Sequence, residues 1–197
     1  MPEYRYIQET PVMNKPTVAV TGHTSGIGQQ LFNHYFPTAH GFSRSNGYDI
    51  DKPEDRKRMI DESADCDVFI NSAYTWNTMS QTVLMYELFD QWKDQDKLIV
   101  SIGSNTTDGI KKHAQPYTAG KAALDKACEQ LSNLNKPCRV ANIKFGYVGT
   151  ERVIKDYNPS SVISLEHSVE LVADVIKWNT LYRLQSITMI PRRIFNS

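Results

Sequence analysis

The sequence predicts an α/β fold: a doubly wound parallel sheet of about seven strands, with helices on both faces, in a single domain. Three observations predict it. Short apolar, β-branched runs recur along the chain. Amphipathic stretches with apolar residues at three- and four-residue spacing separate most of them. A glycine-rich turn joins the first run to the first such stretch.

Residues 1–16, with Pro2, Pro11 and Pro16, read as an irregular lead-in, and residues 17–197 as the domain. Thr17-Val18-Ala19-Val20-Thr21 has the unbroken apolar character of a strand covered on both faces. The glycine turn follows, then a helix to about Phe36, ended by Pro37. Further strands are expected at 39–43, briefly at 48–50, and at 67–71, 97–102, 138–144 and 186–190. Residues 53–62 begin with Pro53 at a first helical position followed by acidic residues, the arrangement a helix N-terminus favours. Residues 77–92, 116–133 and 166–178 carry the other helical patterns. No repeat, linker or low-complexity segment divides the chain.

Composition limits the function. The 197 residues carry 22 Lys+Arg against 22 Asp+Glu, so no global field holds a polyanion, and nucleic-acid or anionic-membrane binding is not expected. No apolar run approaches the ~20 residues of a membrane span. The polar residues 1–15 do not read as a signal peptide. Cys66, Cys128 and Cys138 form no C-x-x-C pair and read as buried thiols of a reducing compartment, with neither disulfide nor metal site implied. His167 and Glu170 suit a solvated helix face better than a metal. A cytoplasmic location is expected.

The turn Gly22-His23-Thr24-Ser25-Gly26-Ile27-Gly28 is not G-x-G-x-x-G, but its physics is the same. Glycines allow positive φ and a close approach of backbone to a pyrophosphate, and the helix N-terminus offers free N–H donors. An ordinary glycine turn is the plain alternative; its place after an apolar strand favours a Rossmann-type dinucleotide site. The end of the second strand selects the cofactor. An acidic residue there would hold a ribose 2′-hydroxyl, whereas the chain has Ser43-Arg44-Ser45, suited to a 2′-phosphate. NADP(H) is therefore expected over NAD(H), the alternative being a solvated Arg44.

Tyr117 and Lys121, at i and i+4 near the start of a helix, share one face. Tyr48 and Lys52 have the same spacing in no helical pattern, so the spacing alone says little. The later pair differs because Ser104 lies just beyond the end of the 97–102 strand, where open α/β sheets bind ligands.

These motifs resemble the short-chain dehydrogenase/reductase family over nearly the whole chain, as an unusually short member. Thr21, Gly22, Gly26 and Gly28 match its T-G-x-x-x-G-x-G turn, and Ser104, Tyr117 and Lys121 match its catalytic residues in identity and spacing. Asn71-Ser72-Ala73 matches the start of its N-N-A-G segment, and Asp49-Ile50 resembles the pair that cradles adenine. Asn77 is placed like its fourth catalytic residue. Gly146-Tyr147-Val148-Gly149-Thr150 resembles its G-x-V-x-T segment, in which Gly146, Val148 and Thr150 hold the nicotinamide and a phosphate.

The resemblance implies an NADP(H)-dependent oxidoreductase interconverting a carbonyl and a secondary alcohol. Tyr117 would be the acid/base, Ser104 would polarise the carbonyl, Lys121 would lower the tyrosine pKa and bind the ribose, and Asn77 would hold a water. Read singly, Tyr117 is also an amphipathic-helix residue, Ser104 a cap and Asn77 an N-cap; one geometry accounts for them together. The chain departs from the family at Tyr74, in place of a glycine, and at Phe145, in place of a proline. It also lacks the helix usual between residues 74 and 77, and residues 151–164 are short for a substrate loop. A homodimer or homotetramer through the 77–92 and 116–133 helices is implied. The rival reading is an NADP-binding sensor or scaffold on the same fold that has lost turnover.

Overall fold

The computed structural model describes residues 15–109, 115–158 and 161–192. The lead-in expected at 1–16 lies outside the described residues apart from its last two. Six parallel strands form one sheet: β1 (Val18–Thr21), β2 (Ala39–Phe42), β3 (Val68–Asn71), β4 (Leu98–Ser104), β5 (Arg139–Phe145) and β6 (Ser186–Met189). Their order is β2-β1-β3-β4-β5-β6. The chain therefore winds outward from β1 to β2, then crosses over to β3 on the other side of β1. That reversal opens a crevice at the carboxyl ends of β1 and β3, the place where doubly wound sheets bind ligands.

Alternate strand residues feed two separate cores, as a period-2 backbone covered on both sides requires. Val18, Val20, Val68, Ile70, Val100 and Ile143 face α1 (Gly26–Tyr35) and α6 (Leu165–Trp178), meeting Leu31, Val172 and Val175. Ala19, Phe69, Ile99 and Val140 face the other way. They meet α2 (Pro53–Glu62), α3 (Ser80–Trp92) and α4 (Pro116–Ser132) through Met59, Leu84, Leu88, Trp92, Leu124 and Cys128. Phe69 and Trp92 are almost wholly buried and pack edge to face at 6.1 Å. Each such side chain contributes about 1.5–3 kcal/mol by leaving water.

The brief strand expected at 48–50 is not formed, so the sheet has six strands and β2 is its edge. Local bonds consume the backbone there: Tyr48 N–H donates to the Ser43 carbonyl, Asp49 N–H to the Asp55 carboxylate and Lys52 N–H to the Asp49 carbonyl. The helix expected from residue 77 starts at Ser80. Asn77 has φ +62°, a left-handed conformation that no α-helix accommodates, and residues 72–79 contain no helix. A short helix, α5 (Glu151–Ile154), lies in the segment read as a reduced substrate loop. No described helix is long and apolar enough to cross a membrane.

Candidate functional site

Thr21 ends β1 and ties the floor of the crevice together. Its Oγ1 accepts from the N–H groups of Ser72 and Ala73, both at 3.0 Å, and so fixes the segment after β3 against β1. Beyond it the chain turns through Gly22 (φ +72°) and Gly26 (φ +55°) into α1. At Gly28 a side chain would collide with the carbonyl of Gly22, so glycine there is what lets helix and turn close on one another. Ser25 caps α1 without a side-chain bond, and no acidic residue stands in the first turn. The N–H groups of that turn are available to an anion.

A cleft of about 1020 Å³ runs from this turn across the carboxyl ends of the strands. At one end it is lined by Ser43, Arg44, Ser45, Asp49 and Ile50, then by Gly22, Thr24, Ser25, Ile27 and Gly28. Its walls continue with Ser72 and Ala73 on one side and Gly146, Val148 and Thr150 on the other, and it reaches Ser104, Tyr117 and Lys121. Arg44 sits in a 3-10 turn (Arg44–Asn46) held by a reciprocal capping pair: Ser43 N–H donates to Asn46 Oδ1 at 2.8 Å and the Ser43 side chain accepts from Asn46 N–H, while the Ser43 and Ser45 hydroxyls bond each other at 2.7 Å. Among the described residues Arg44 makes no ion pair. Its guanidinium is open to a phosphate, with the paired Ser43 and Ser45 hydroxyls beside it.

Three residues expected at the site do not line the cleft. Gly26 instead packs behind the turn, its Cα side closing on Thr150. Asn71 is fully buried, its Nδ2 donating to the Gln81 carbonyl at 2.9 Å, so its amide braces α3 rather than facing a ligand. Asn77 is exposed on the loop before α3, with a left-handed backbone.

Among the described residues the α3 side chain that bonds Lys121 is Gln81. Its Oε1 accepts from the Lys121 ammonium at 2.9 Å, while Nε2 donates to the Asn71 carbonyl at 2.8 Å. Lys121 also donates to the Ile102 carbonyl at 2.8 Å. One signal in the sequence pointed to Gln81. It leads the apolar row Leu84, Met85 and Leu88 at helical spacing, and a polar residue on that face must find a buried partner.

Ser104 closes β4, and its Oγ accepts from Thr106 N–H at 3.3 Å, so it does cap the turn that follows while still facing the cleft. Tyr117 enters at the second position of α4. Burial pushes its phenol up from the ordinary tyrosine value, while Ser104 and the charge of Arg152 pull it back. Burial draws the Lys121 ammonium down to about 8. The Lys121 ammonium lies 5.8 Å from the Tyr117 ring centroid and 4.8 Å from that of Tyr74.

Aromatic rings enclose Tyr117. Tyr74 meets it edge to face at 5.0 Å and Trp76 at 5.3 Å, and the guanidinium of Arg152 lies 5.0 Å above Trp76. Tyr147 and Tyr157 stack at 4.1 Å on the facing wall. Trp76 and Arg152 were not legible as site residues, because α5 and the 72–79 loop have no pattern that says where they fold. No group of three or more His, Cys, Asp or Glu among the described residues could hold a metal.

Solved structures share this architecture. The closed form of a serine dehydrogenase complexed with NADP+ aligns with a TM-score of 0.73 at 18% identity, over 91% of this chain and 97% of that one. A 4-hydroxyisoleucine dehydrogenase complexed with NADH and succinate gives 0.74 at 15% identity, over 88% and 97%. A short-chain dehydrogenase/reductase from Vibrio parahaemolyticus gives 0.73 at 19%, over 91% and 99%. The fold is that of the short-chain dehydrogenases/reductases. No family sequence model and no curated protein sequence matches the chain. On the short-chain dehydrogenase/reductase fold, Tyr74 stands where the sequence motif leads one to expect glycine. Its ring lies against Tyr117 and Lys121, and its hydroxyl lies over Gly120.

Proposed function

We propose that the protein is an NADP(H)-dependent oxidoreductase of the short-chain dehydrogenase/reductase family that interconverts a carbonyl and a secondary alcohol. One observation carries this reading: Ser104, Tyr117 and Lys121 stand at one end of a cleft whose other end is Arg44 and whose middle is the glycine turn. The solved structures with NADP+ and NADH on the same fold support it at the level of the cofactor class.

The residues present fit such a dinucleotide. The glycine turn and the open N-terminus of α1 suit a pyrophosphate, Asp49 and Ile50 would flank the adenosine, and Ser43, Arg44 and Ser45 suit a 2′-phosphate. Ser72, Ala73, Gly146, Val148 and Thr150 form walls for the nicotinamide half. When bound, the nicotinamide supplies or accepts a hydride.

The protein supplies the polar chemistry. Ser104 donates a hydrogen bond to the substrate oxygen and orients it. In reduction, Tyr117 gives its phenolic proton to that oxygen, and in oxidation it takes the proton back. Lys121, held by Gln81 and Ile102, keeps a positive charge beside the phenol and within reach of the ribose, which favours the phenolate after proton transfer. A small-molecule substrate is thus implied, and α3 and α4 are the proposed faces of a homodimer or homotetramer.

NADPH oxidation across a carbonyl panel tests the assignment. Tyr117→Phe is expected to lower turnover by about 10²–10⁴-fold, the scale of general acid catalysis, with NADPH binding retained. NADPH binding without any oxidation, unaltered by Tyr117→Phe, would instead identify a sensor or scaffold on this fold.

A further inference from the structure

Arg152 is a cation in the cleft with no anionic partner among the described residues. Among the described residues three other arginines meet carboxylates: Arg56 on Glu87, Arg58 on Asp55 and Arg139 on Asp96. Among the described residues Arg152 makes no ion pair, and its guanidinium rests instead above the face of Trp76. Stacking of this kind holds a guanidinium in one orientation while leaving its N–H edge open.

The cleft is electropositive although the whole chain is neutral. Arg44, Lys121 and Arg152 line it, against Asp49 as the one carboxylate among its lining residues. Asp49 belongs with Arg44 near the end of β2, and Lys121 is anchored by Gln81 and Ile102 beside the Tyr117 ring. Arg152 stands at the opposite end. Its neighbour Trp76 packs on Tyr117, and its charge is felt at the Tyr117 phenol. A charge so near the acid/base acts on whatever is attached to the reacting carbonyl.

We propose that the substrate is an oxo acid, or the corresponding hydroxy acid, whose carboxylate is held by Arg152 while its carbonyl faces Ser104 and Tyr117. The inference rests on the oxidoreductase reading given above. In reduction the carbonyl carbon gains the hydride released by NADPH, and its oxygen gains the Tyr117 proton. The C=O becomes CH–OH, NADPH becomes NADP+, and the carboxylate stays intact and bound. Tyr74 and Trp76 cover the carbon skeleton between the two polar ends. Arg152 supplies two parallel N–H donors to the carboxylate, which no neutral ester can match.

The test pairs each acid with its methyl ester. The probes are 2-, 3- and 4-oxopentanoate and the three esters, assayed with NADPH on the full chain, its Arg152→Gln and Arg152→Lys variants. At least one acid is expected to exceed its ester in kcat/KM by roughly tenfold or more. Arg152→Gln should collapse that ratio toward one, chiefly through the KM of the acid, a loss of about 10–100-fold set by a charged hydrogen bond. Arg152→Lys should restore part of it.

Equal kcat/KM for acids and esters in the unaltered protein would overturn the proposal and leave the oxidoreductase reading intact. An equal weakening of NADPH binding in Arg152→Gln would overturn it too, assigning Arg152 to a cofactor phosphate. Equilibrium binding gives a second readout, with Trp76 fluorescence and calorimetry on the NADP+-saturated protein. Acids that bind in an Arg152-dependent way without turnover would keep Arg152 as a carboxylate anchor but overturn the substrate assignment together with the oxidoreductase reading. If no acid binds, the proposal is wrong.

Discussion

Gln81 accepts a hydrogen bond from the Lys121 ammonium at 2.9 Å, across the gap between α3 and α4 and beneath the floor of the cleft. The same side chain donates to the Asn71 carbonyl at the end of β3. One amide therefore joins the helix before β4, the strand beside it and the lysine of the site. Gln81→Leu removes an acceptor and a donor at once and leaves buried partners unpaired. Thermal or denaturant unfolding should show a loss of about 1–3 kcal/mol, and turnover should fall with it. Unchanged stability would mean that Lys121 is held by Ile102 alone.

Lys121 also imposes a pH signature on folding. Burial lowers its pKa to about 8 from 10.5, so between those values the unfolded chain binds the extra proton and stability rises with pH. The buried thiols act in the opposite sense. Cys66 is pushed up to about 11, and Cys128 and Cys138 to about 12, from 9.0. Above pH 9 the folded chain holds those protons and stability falls. The thiols offset the lysine by about pH 8.5, so the melting temperature should climb toward that pH and decline beyond it. Tyr35, Tyr74 and Tyr117, also raised by burial, deepen the decline at higher pH. Lys121→Met should abolish the climb and preserve the decline, as a pH series of melting curves would show.

Arg44 separates the two nicotinamide cofactors. A guanidinium without an ion pair at the end of β2, flanked by the bonded Ser43 and Ser45 hydroxyls, is matched to a 2′-phosphate. Arg44→Ala should weaken NADPH binding by about 10–100-fold and leave NADH binding nearly unchanged. Fluorescence titration measures both. Equal losses for the two cofactors would remove Arg44 from the phosphate site.

Gly28 and Gly47 separate crowding from backbone strain. A side chain at Gly28 would press on the backbone of Gly22, with the Gly22 carbonyl carbon 2.9 Å from the new Cβ. Backbone cannot rotate away as a side chain can, so Gly28→Ala should cost about 1–3 kcal/mol and weaken cofactor binding by displacing the turn. Gly47 has φ +86° but open space around it. Gly47→Ala should cost about 1–2 kcal/mol from its left-handed backbone alone and leave cofactor affinity untouched. Comparing unfolding with cofactor titration for the two variants checks both halves.

Much of this architecture was legible before the fold was seen. The unbroken apolar runs that became β1, β3, β4 and β5 mark strands covered on both faces, and Pro53 with Glu54 and Asp55 marks the start of α2. The glycine turn, Arg44 after β2, and Tyr117 with Lys121 one helical turn apart were all readable, because each depends on a few consecutive residues. The 48–50 strand and the start of α3 were misplaced for the converse reason. Capture of the Asp49 N–H by Asp55 and the left-handed Asn77 depend on neighbours that short-range periodicity does not see.

By itself, then, the sequence determined the local elements and the chemical groups they carry: parallel strands, an anion-binding turn, a phenol and an amine on one helical face. The tertiary structure decided which of those groups meet. It moved the helix start past Asn77 and set Gln81 under Lys121. It laid Tyr74 and Trp76 on Tyr117, and turned Arg152 toward the acid/base from a segment with no pattern of its own. Backbone propensity and side-chain period act over one or two turns, whereas a binding site is assembled from strand ends and loops far apart in the chain. Their meeting is set by how the two faces of the sheet bury their apolar surfaces.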